Sequence, residues 1–181
     1  MSTQPIKQVL TIAGSDSGGG AGIQADIKSM SANGVFAMSV VTAVTAQNTE
    51  EVTDVFELPT SIVAAQIDAV FDDFDVAAVK TGMLSSAAIV ETVARMLKPQ
   101  NVTNLVVDPV MISKSGHLLL KPDAIDAIKG QLFPLALLVT PNIHEAQQLS
   151  GIEIKTLADA RRAAKIIHGF GCKHVLIKGG H

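Results

Sequence analysis

The chain has 181 residues, of which 48% are hydrophobic, 17% are charged and 3% are aromatic. This length suits a single domain, and the hydrophobic fraction excludes intrinsic disorder as the general state. The formal net charge of −3 provides no attraction for nucleic acid, and six phenylalanines without tryptophan or tyrosine offer few surfaces for base stacking. We therefore predict one domain over residues 1–181 that does not bind nucleic acid.

Cysteine content and hydropathy indicate the cellular compartment in which the protein is expected. The single cysteine, Cys172, cannot form an internal disulfide, which is typical of a reducing compartment. The apolar run near the N-terminus is too short for a signal peptide, and the longest uncharged stretch, 29–49, is too polar for a membrane span. We predict a soluble, cytoplasmic protein without membrane association.

Short β-rich apolar segments alternate with helical patterns along nearly the whole chain. In chain order we predict the strand 8–13, the helix 21–33, the strands 38–46 and 52–58, a helix opening at 59–60, the strand 76–79, the helix 85–97, the strand 105–107, the helix 122–129, the strand 135–139, the helices 143–149 and 157–170, and the strand 174–177. Apolar strands separated by helices are typical of a parallel sheet covered on both faces. The pattern predicts a three-layer α/β/α sandwich with a mostly parallel sheet and 52–58 as an edge strand or flap.

In such sheets ligands bind beyond the carboxyl ends of the strands, so the loops there are the candidate sites. The glycine-rich loop 14–22 follows a strand and opens a helix, where close backbone approach and free N–H groups would suit a ligand; a tight turn is the alternative. It lacks the Lys of a Walker A loop and the later acidic residue of a dinucleotide fingerprint. Asp26 either turns inward as an acceptor or favours the helix N-terminus.

Two later loops carry side chains suited to a flat polar ring. Gln47 follows a strand, and its amide could cap the loop or pair with a heteroaromatic ring that has adjacent donor and acceptor nitrogens. Lys80 could extend to solvent, and Met83 could pack either in the core or against a ligand. The residue types leave both readings open.

A second group of polar residues suits a cation and phosphates. Asp108 follows a strand, and with Glu145 it could hold Mg²⁺ through water; Glu145 and Asn142 could equally cap a helix. Lys178, beside glycines, suits a polyphosphate or is a surface lysine. The histidines show no zinc-ligand spacing.

Taken together, six ordered segments resemble one family: TIAGSDSGGGAGIQAD, TAVTAQNT, VKTGML, DPVM with SKSG, TPNIHEA and LIKGGH. They resemble the hydroxymethylpyrimidine/phosphomethylpyrimidine kinases of thiamine biosynthesis, in the ribokinase superfamily, and the likeness runs over about 8–181. The resemblance implies a ribokinase-like fold, a homodimer, and ATP- and Mg²⁺-dependent phosphorylation of 4-amino-5-hydroxymethyl-2-methylpyrimidine and then of its monophosphate.

The resemblance also implies roles for particular residues. The positions expected to line the pyrimidine pocket are Gly14, Ala21, Asp26, Thr45, Gln47, Met83 and Val110. Those expected around the metal and the nucleotide phosphates are Asp108 and Glu145 for Mg²⁺, and Asn142 and Lys178 for the nucleotide. Gln47 is the position we assign to the aminopyrimidine edge.

The sequence departs from the family in one respect. The superfamily carries a Gly-Thr-Gly-Cys or Gly-Thr-Gly-Asp segment after the lysine strand, and no such segment occurs among these 181 residues. We therefore assign no catalytic residue, and expect a C-terminally truncated chain that is inactive alone. The alternatives are a pyridoxal kinase, a non-catalytic pyrimidine-binding fragment and, less favoured because its acidic residue is missing, a nicotinamide-binding domain.

Overall fold

A computed structural model describes residues 5–111 and 122–179. The SKSG segment and the last two residues of LIKGGH lie outside the described residues. All residues to which the sequence assigns a site role are described. No helix within 5–111 or 122–179 has the length and apolar character needed to cross a membrane.

The described residues form strands and helices close to those predicted. The strands are β1 (Gln8–Asp16), β2 (Phe36–Gln47), β3 (Val52–Glu57), β4 (Val76–Thr81), β5 (Leu105–Val107), β6 (Leu138–Val139) and β7 (His174–Val175). The helices are α1 (Gly22–Ala32), α2 (Thr60–Asp73), α3 (Ala87–Leu97), α4 (Pro122–Ala127), α5 (Ile143–Ser150) and α6 (Leu157–His168). Beyond α4 the chain forms a π-helical turn, Ile128–Leu132, and a 3-10 turn, Phe133–Leu135, which shorten the predicted strand 135–139 to its last two residues.

The strands form one sheet in the order β3-β2-β1-β4-β5-β6-β7. All neighbours pair in parallel except β2 and β3, which pair antiparallel at one edge. The predictions of a mostly parallel sheet and of an edge strand near 52–58 are confirmed. Because β1 lies between β2 and β4, the loops after these three strands meet at one end of the sheet.

Helices cover both faces of the sheet, as predicted for a three-layer sandwich. Helix α1 lies on one face, where its Asp26 contacts Thr11 of β1 and Lys80 of β4. Residues that alternate with these, such as Leu10 and Ile12, face the other side and join one apolar cluster with side chains from α2 to α6. The larger core therefore lies on the face opposite α1.

A bulge extends β1 and β2 beyond their predicted ends. The pairing register shifts between Ala13 and Ser15, so that Ser15 lies opposite Val44 and Asp16 opposite Thr45. Such an extra residue re-aims the side chains that follow it. The bulge thus places Asp16 and Thr45 side by side at the end of the sheet where the loops meet.

We expect Phe133→Ala to lower the free energy of unfolding by roughly 3–5 kcal/mol, because it leaves a cavity in the core. Phe133 is fully buried and its ring centroid lies 6.3 Å from that of Phe170. Phe56→Ala is the matched control, since Phe56 is 66% exposed and should cost about 0.5 kcal/mol or less. Chemical denaturation measures both, and equal losses would contradict this assignment of the core.

Candidate active-site cleft

The loops after β1, β2, β4 and β5 enclose a cleft of about 590 Å³. Its lining includes all seven residues predicted for the pyrimidine pocket, namely Gly14, Ala21, Asp26, Thr45, Gln47, Met83 and Val110. Asp108, predicted as a metal ligand, lies in the same lining. The structure therefore brings residues from four separated segments of the chain into one concave surface.

Asp16, to which the sequence analysis assigned no role, organises the glycine loop. Its carboxylate is 4% exposed and accepts hydrogen bonds from the N–H groups of Gly18 at 2.8 Å, Gly20 at 2.9 Å and Ala21 at 2.8 Å. These three loop amides are therefore bonded within the protein, whereas the helix itself begins at Gly22. An aspartate that precedes glycines in a turn is the signal that could have identified this role.

Close packing requires the glycine at position 22, while the glycine at position 14 leaves room for the flexible end of Met83. A side chain at Gly22, which has φ of +55°, would place its Cβ 2.3 Å from the carbonyl oxygen of Gly14. A Cβ on Gly14 would lie 2.5 Å from the terminal methyl of Met83. The absence of both side chains lets helix α1 begin against β1 and lets Met83 reach the cleft wall.

A partly buried ion pair lies in the cleft between α1 and the sheet. The Asp26 carboxylate accepts hydrogen bonds from the Thr11 hydroxyl at 2.6 Å and from the Lys80 ammonium at 2.8 and 3.0 Å. Of the two readings of Asp26, the structure supports the inward one. Lys80, for which solvent was one option, instead turns inward, so the pair adds no net charge to the cleft.

The end of β2 holds the backbone of Gln47 in place. The Ser17 hydroxyl donates to the Gln47 carbonyl at 2.7 Å and accepts from the Gln47 N–H at 2.8 Å. The Thr45 hydroxyl donates to the Ser15 carbonyl at 2.9 Å and lies 3.2 Å from the side-chain oxygen of Gln47. Because both backbone groups of Gln47 are occupied, its side chain projects into the cleft from a fixed point.

Four predicted phosphate and metal residues form a rim beyond β5, β6 and β7. The Lys178 ammonium contacts an Asp108 carboxylate oxygen at 2.7 Å, and the Lys178 N–H donates to the Pro141 carbonyl at 2.8 Å. Asn142 and Glu145 form a capping box: the Glu145 N–H donates to the Asn142 side chain at 2.8 Å, and the Asn142 N–H donates to Glu145 at 2.7 Å. The capping interpretation of these two residues is confirmed.

Burial raises the pKa of the Glu145 carboxyl above its ordinary value. The Asn142 amide opposes this shift, the neighbouring Asp108 carboxylate adds to it, and the Lys178 ammonium opposes it. Two carboxylates and one ammonium are therefore close enough to interact at this rim. Within the part of the chain that the structure describes, no group of three or more His, Cys, Asp or Glu side chains is arranged to hold a metal ion.

This chain is similar to known proteins in both sequence and structure. The model of the family described as phosphomethylpyrimidine kinase matches residues 16–181. A hydroxymethylpyrimidine/phosphomethylpyrimidine kinase from Haemophilus influenzae is 52% identical over 97% of this chain, and the match covers 65% of that relative. The chain thus spans less than two thirds of that relative's length.

Among the solved structures similar to this chain are those of two kinases. The crystal structure of phosphomethylpyrimidine kinase from Clostridium difficile has a TM-score of 0.90 and 52% identity, with 97% of this chain and 76% of that chain covered. An ADP complex of Bacillus subtilis pyridoxal kinase has a TM-score of 0.88 and 42% identity, with 97% and 67% covered. These likenesses agree with the α/β fold described above.

We expect Gly22→Ala to destabilise the protein by roughly 2–5 kcal/mol, because a left-handed backbone and a clash with the Gly14 carbonyl act together. Gly34→Ala is the control: Gly34 has φ of +77° but nothing within 4 Å of a Cβ, so it should cost only about 1–2 kcal/mol. Thermal and chemical unfolding of both variants measure the difference. Equal losses would show that backbone strain alone requires Gly22.

We expect Glu145→Gln to change how stability depends on pH in buffer without Mg²⁺. A raised pKa means that the folded state binds the Glu145 proton more tightly than the unfolded state does. Wild-type stability relative to the variant should therefore fall as the pH rises from about 4.5 through the raised pKa, and then level off. Urea unfolding across this range measures it, and parallel curves for the two proteins would contradict the burial effect.

Proposed function

This chain belongs to the phosphomethylpyrimidine kinase family, and from that premise we propose that it acts in ATP-dependent phosphorylation of 4-amino-5-hydroxymethyl-2-methylpyrimidine and then of its monophosphate. One observation carries the proposal: all seven residues predicted for the pyrimidine pocket line the same cleft, with Asp108 beside them. The homodimer and the cytoplasmic location remain predictions from the sequence.

The lining of the cleft suits a small, flat, polar ring. Ala21, Met83 and Val110 supply apolar surface, while Asp26 and Gln47 supply acceptor and amide groups. Small-molecule sites typically combine apolar walls with a few polar groups that fix orientation. Because Asp26 is paired with Lys80, a neutral ring can approach Asp26 without meeting an uncompensated charge at that position.

The proposed reaction joins the substrate oxygen to the γ-phosphorus of ATP. An O–P bond forms to the hydroxymethyl oxygen, the bond from the γ-phosphorus to the ADP oxygen breaks, and the hydroxyl proton is released; in the second round a phosphate oxygen is the nucleophile. Catalysis of such transfers rests mainly on positioning and on neutralising phosphate charge. Lys178 is 40% exposed and supplies a cation at the rim, beside Asp108.

Mg²⁺ usually binds through one or two carboxylates together with phosphate oxygens and water. Asp108 and Glu145 fit that mode. Their carboxylates repel each other, which contributes to the raised pKa of Glu145, and a bound divalent cation would offset that repulsion. These two residues would hold the ion, with Asn142 keeping Glu145 in place through the capping box. When bound, Mg²⁺ would offset negative charge on the phosphates.

The second candidate is a pyridoxal kinase, favoured by the likeness to the Bacillus subtilis enzyme. That structure is 42% identical to this chain, whereas the Clostridium difficile phosphomethylpyrimidine kinase is 52% identical. The pyrimidine is therefore our first assignment, and direct competition between the two ligands separates them.

We expect Gln47→Ala to weaken binding of the hydroxymethylpyrimidine by at least about tenfold, since the loss of one ligand hydrogen bond is worth roughly 0.5–1.5 kcal/mol and an unpaired partner costs more. Binding of a non-hydrolysable ATP analogue with Mg²⁺ should stay within about twofold. Isothermal titration calorimetry on wild type and variant measures both ligands.

Gln100→Ala is the control, because Gln100 is exposed and does not line the cleft. It should bind the pyrimidine as wild type does. Tighter binding of pyridoxal than of the pyrimidine by wild type would move the assignment to the second candidate. Binding of neither ligand would contradict the proposed function.

A further inference from the structure

The ammonium group of Lys80 lies in the wall of the cleft, close to the carboxylate of Asp26. The Lys80 side chain is 22% exposed, and its nitrogen contacts the two Asp26 oxygens at 2.8 and 3.0 Å. The glycine at position 82 leaves room for it, since a Cβ there would lie 2.9 Å from the Lys80 nitrogen. Lys80 therefore places a positive charge at the cleft wall.

The Asp26 carboxylate has its partners within the protein. It accepts the Thr11 hydroxyl at 2.6 Å in addition to the Lys80 ammonium, and its side chain is 18% exposed. Together the two ions carry no net charge, so they offer a third ion no net attraction. A cation that leaves water for a partly enclosed site loses hydration, and an unpaired opposite charge is needed to offset that loss. A charged ring is therefore disfavoured beside this pair, whereas a neutral ring is not.

The other charged groups of the cleft lining do not replace this pair. Asp16 is occupied by loop amides, and Asp108 contacts Lys178. Glu50 and Glu51 lie in the turn between β2 and β3 and are exposed, so that solvent and salt screen their charges. No histidine is found among the described residues that line the cleft. The charge met at the inner wall thus depends on the pair formed by α1 and β4.

We propose that Lys80 is a specificity-determining residue that makes the cleft bind the neutral form of the aminopyrimidine ring and exclude the protonated form. The inference rests on the proposed function, since it concerns the same ligand. A ring nitrogen of an aminopyrimidine accepts a proton in mildly acidic solution, so the two forms are easily exchanged. Without Lys80, the Asp26 carboxylate would keep only Thr11, and a protonated ring would supply the missing positive charge.

The experiment measures the dissociation constant of 4-amino-5-hydroxymethyl-2-methylpyrimidine by calorimetry from about pH 8 down to about pH 5, without ATP or Mg²⁺. Titration of the free compound gives the pKa of its ring. Wild type should bind most tightly above that pKa. Below it the affinity should fall by up to about tenfold per pH unit, because the fraction of neutral ring falls and binding of the neutral form is linked to loss of the proton.

Lys80→Met removes the charge and keeps an unbranched side chain. Its affinity should rise as the pH falls toward the pKa of the free ligand, because the unpaired Asp26 carboxylate favours the protonated ring. In the double variant Asp26→Asn, Lys80→Met both charges are absent, and the pH dependence should return to the wild-type direction even where the affinity is lower. A purely structural role of Lys80 would not reverse the direction of this dependence.

Glu50→Gln is the matched control, because it also removes one charge from the cleft lining, but from an exposed side chain. It should keep the wild-type pH dependence. The wild-type profile alone tests the inference, whatever the stability of the variants. An affinity that stays constant or rises as the ring becomes protonated would overturn it, and so would a Lys80→Met profile parallel to that of wild type.

These outcomes are distinguishable from a failure of the proposed function. If wild type binds the pyrimidine but favours its protonated form, the proposed function stands and the inference fails. If wild type binds the pyrimidine at no pH in this range, the proposed function fails and the inference fails with it.

Discussion

The carboxylate of Asp16 is the constraint on which the cleft depends. It accepts three loop N–H groups while its own N–H donates to the Gln24 side chain at 2.8 Å, so one residue ties the end of β1 to the glycine loop and to α1. The buried group is the Asp16 carboxylate, which needs partners, and the exposed loop supplies them from its own amides. The loop is therefore held in one conformation before any ligand binds, which lowers the entropy that binding must remove.

Ion pairing shapes the electrostatics of the site at two places. Asp26 pairs with Lys80 inside the cleft, and Asp108 pairs with Lys178 at the rim. The first pair also receives the Thr11 hydroxyl, so the Asp26 carboxylate is compensated within the protein, which suits a ring without charge. The second pair is more exposed and adjoins Glu145. Phosphates and a divalent cation would bind at this rim through their charges. The two ends of the proposed reaction thus meet different local environments, the cleft itself and the rim that Asp108 joins to it.

The fold followed from the sequence to a large extent because its signals are local. Apolar segments of strand length alternate with helical spacing, and that alternation is typical of a parallel sheet covered by helices. The exceptions also have physical causes. The predicted strand 135–139 begins only at Leu138, after a 3-10 turn that contains Pro134 and ends at Leu135, and β1 ran on to Asp16 because a bulge brings it into register with Thr45. Neither effect can be read from periodicity.

For the site, the sequence by itself determined which loops carry chemistry and, through six ordered motifs, which family they resemble. It left Asp26, Gln47 and Glu145 between structural and binding roles, because each side chain suits both. Only the tertiary structure decided that Asp26 meets Lys80 and that Lys178 meets Asp108. Both contacts join residues more than fifty positions apart, which meet because of the order and register of the strands, and a linear pattern does not contain that order.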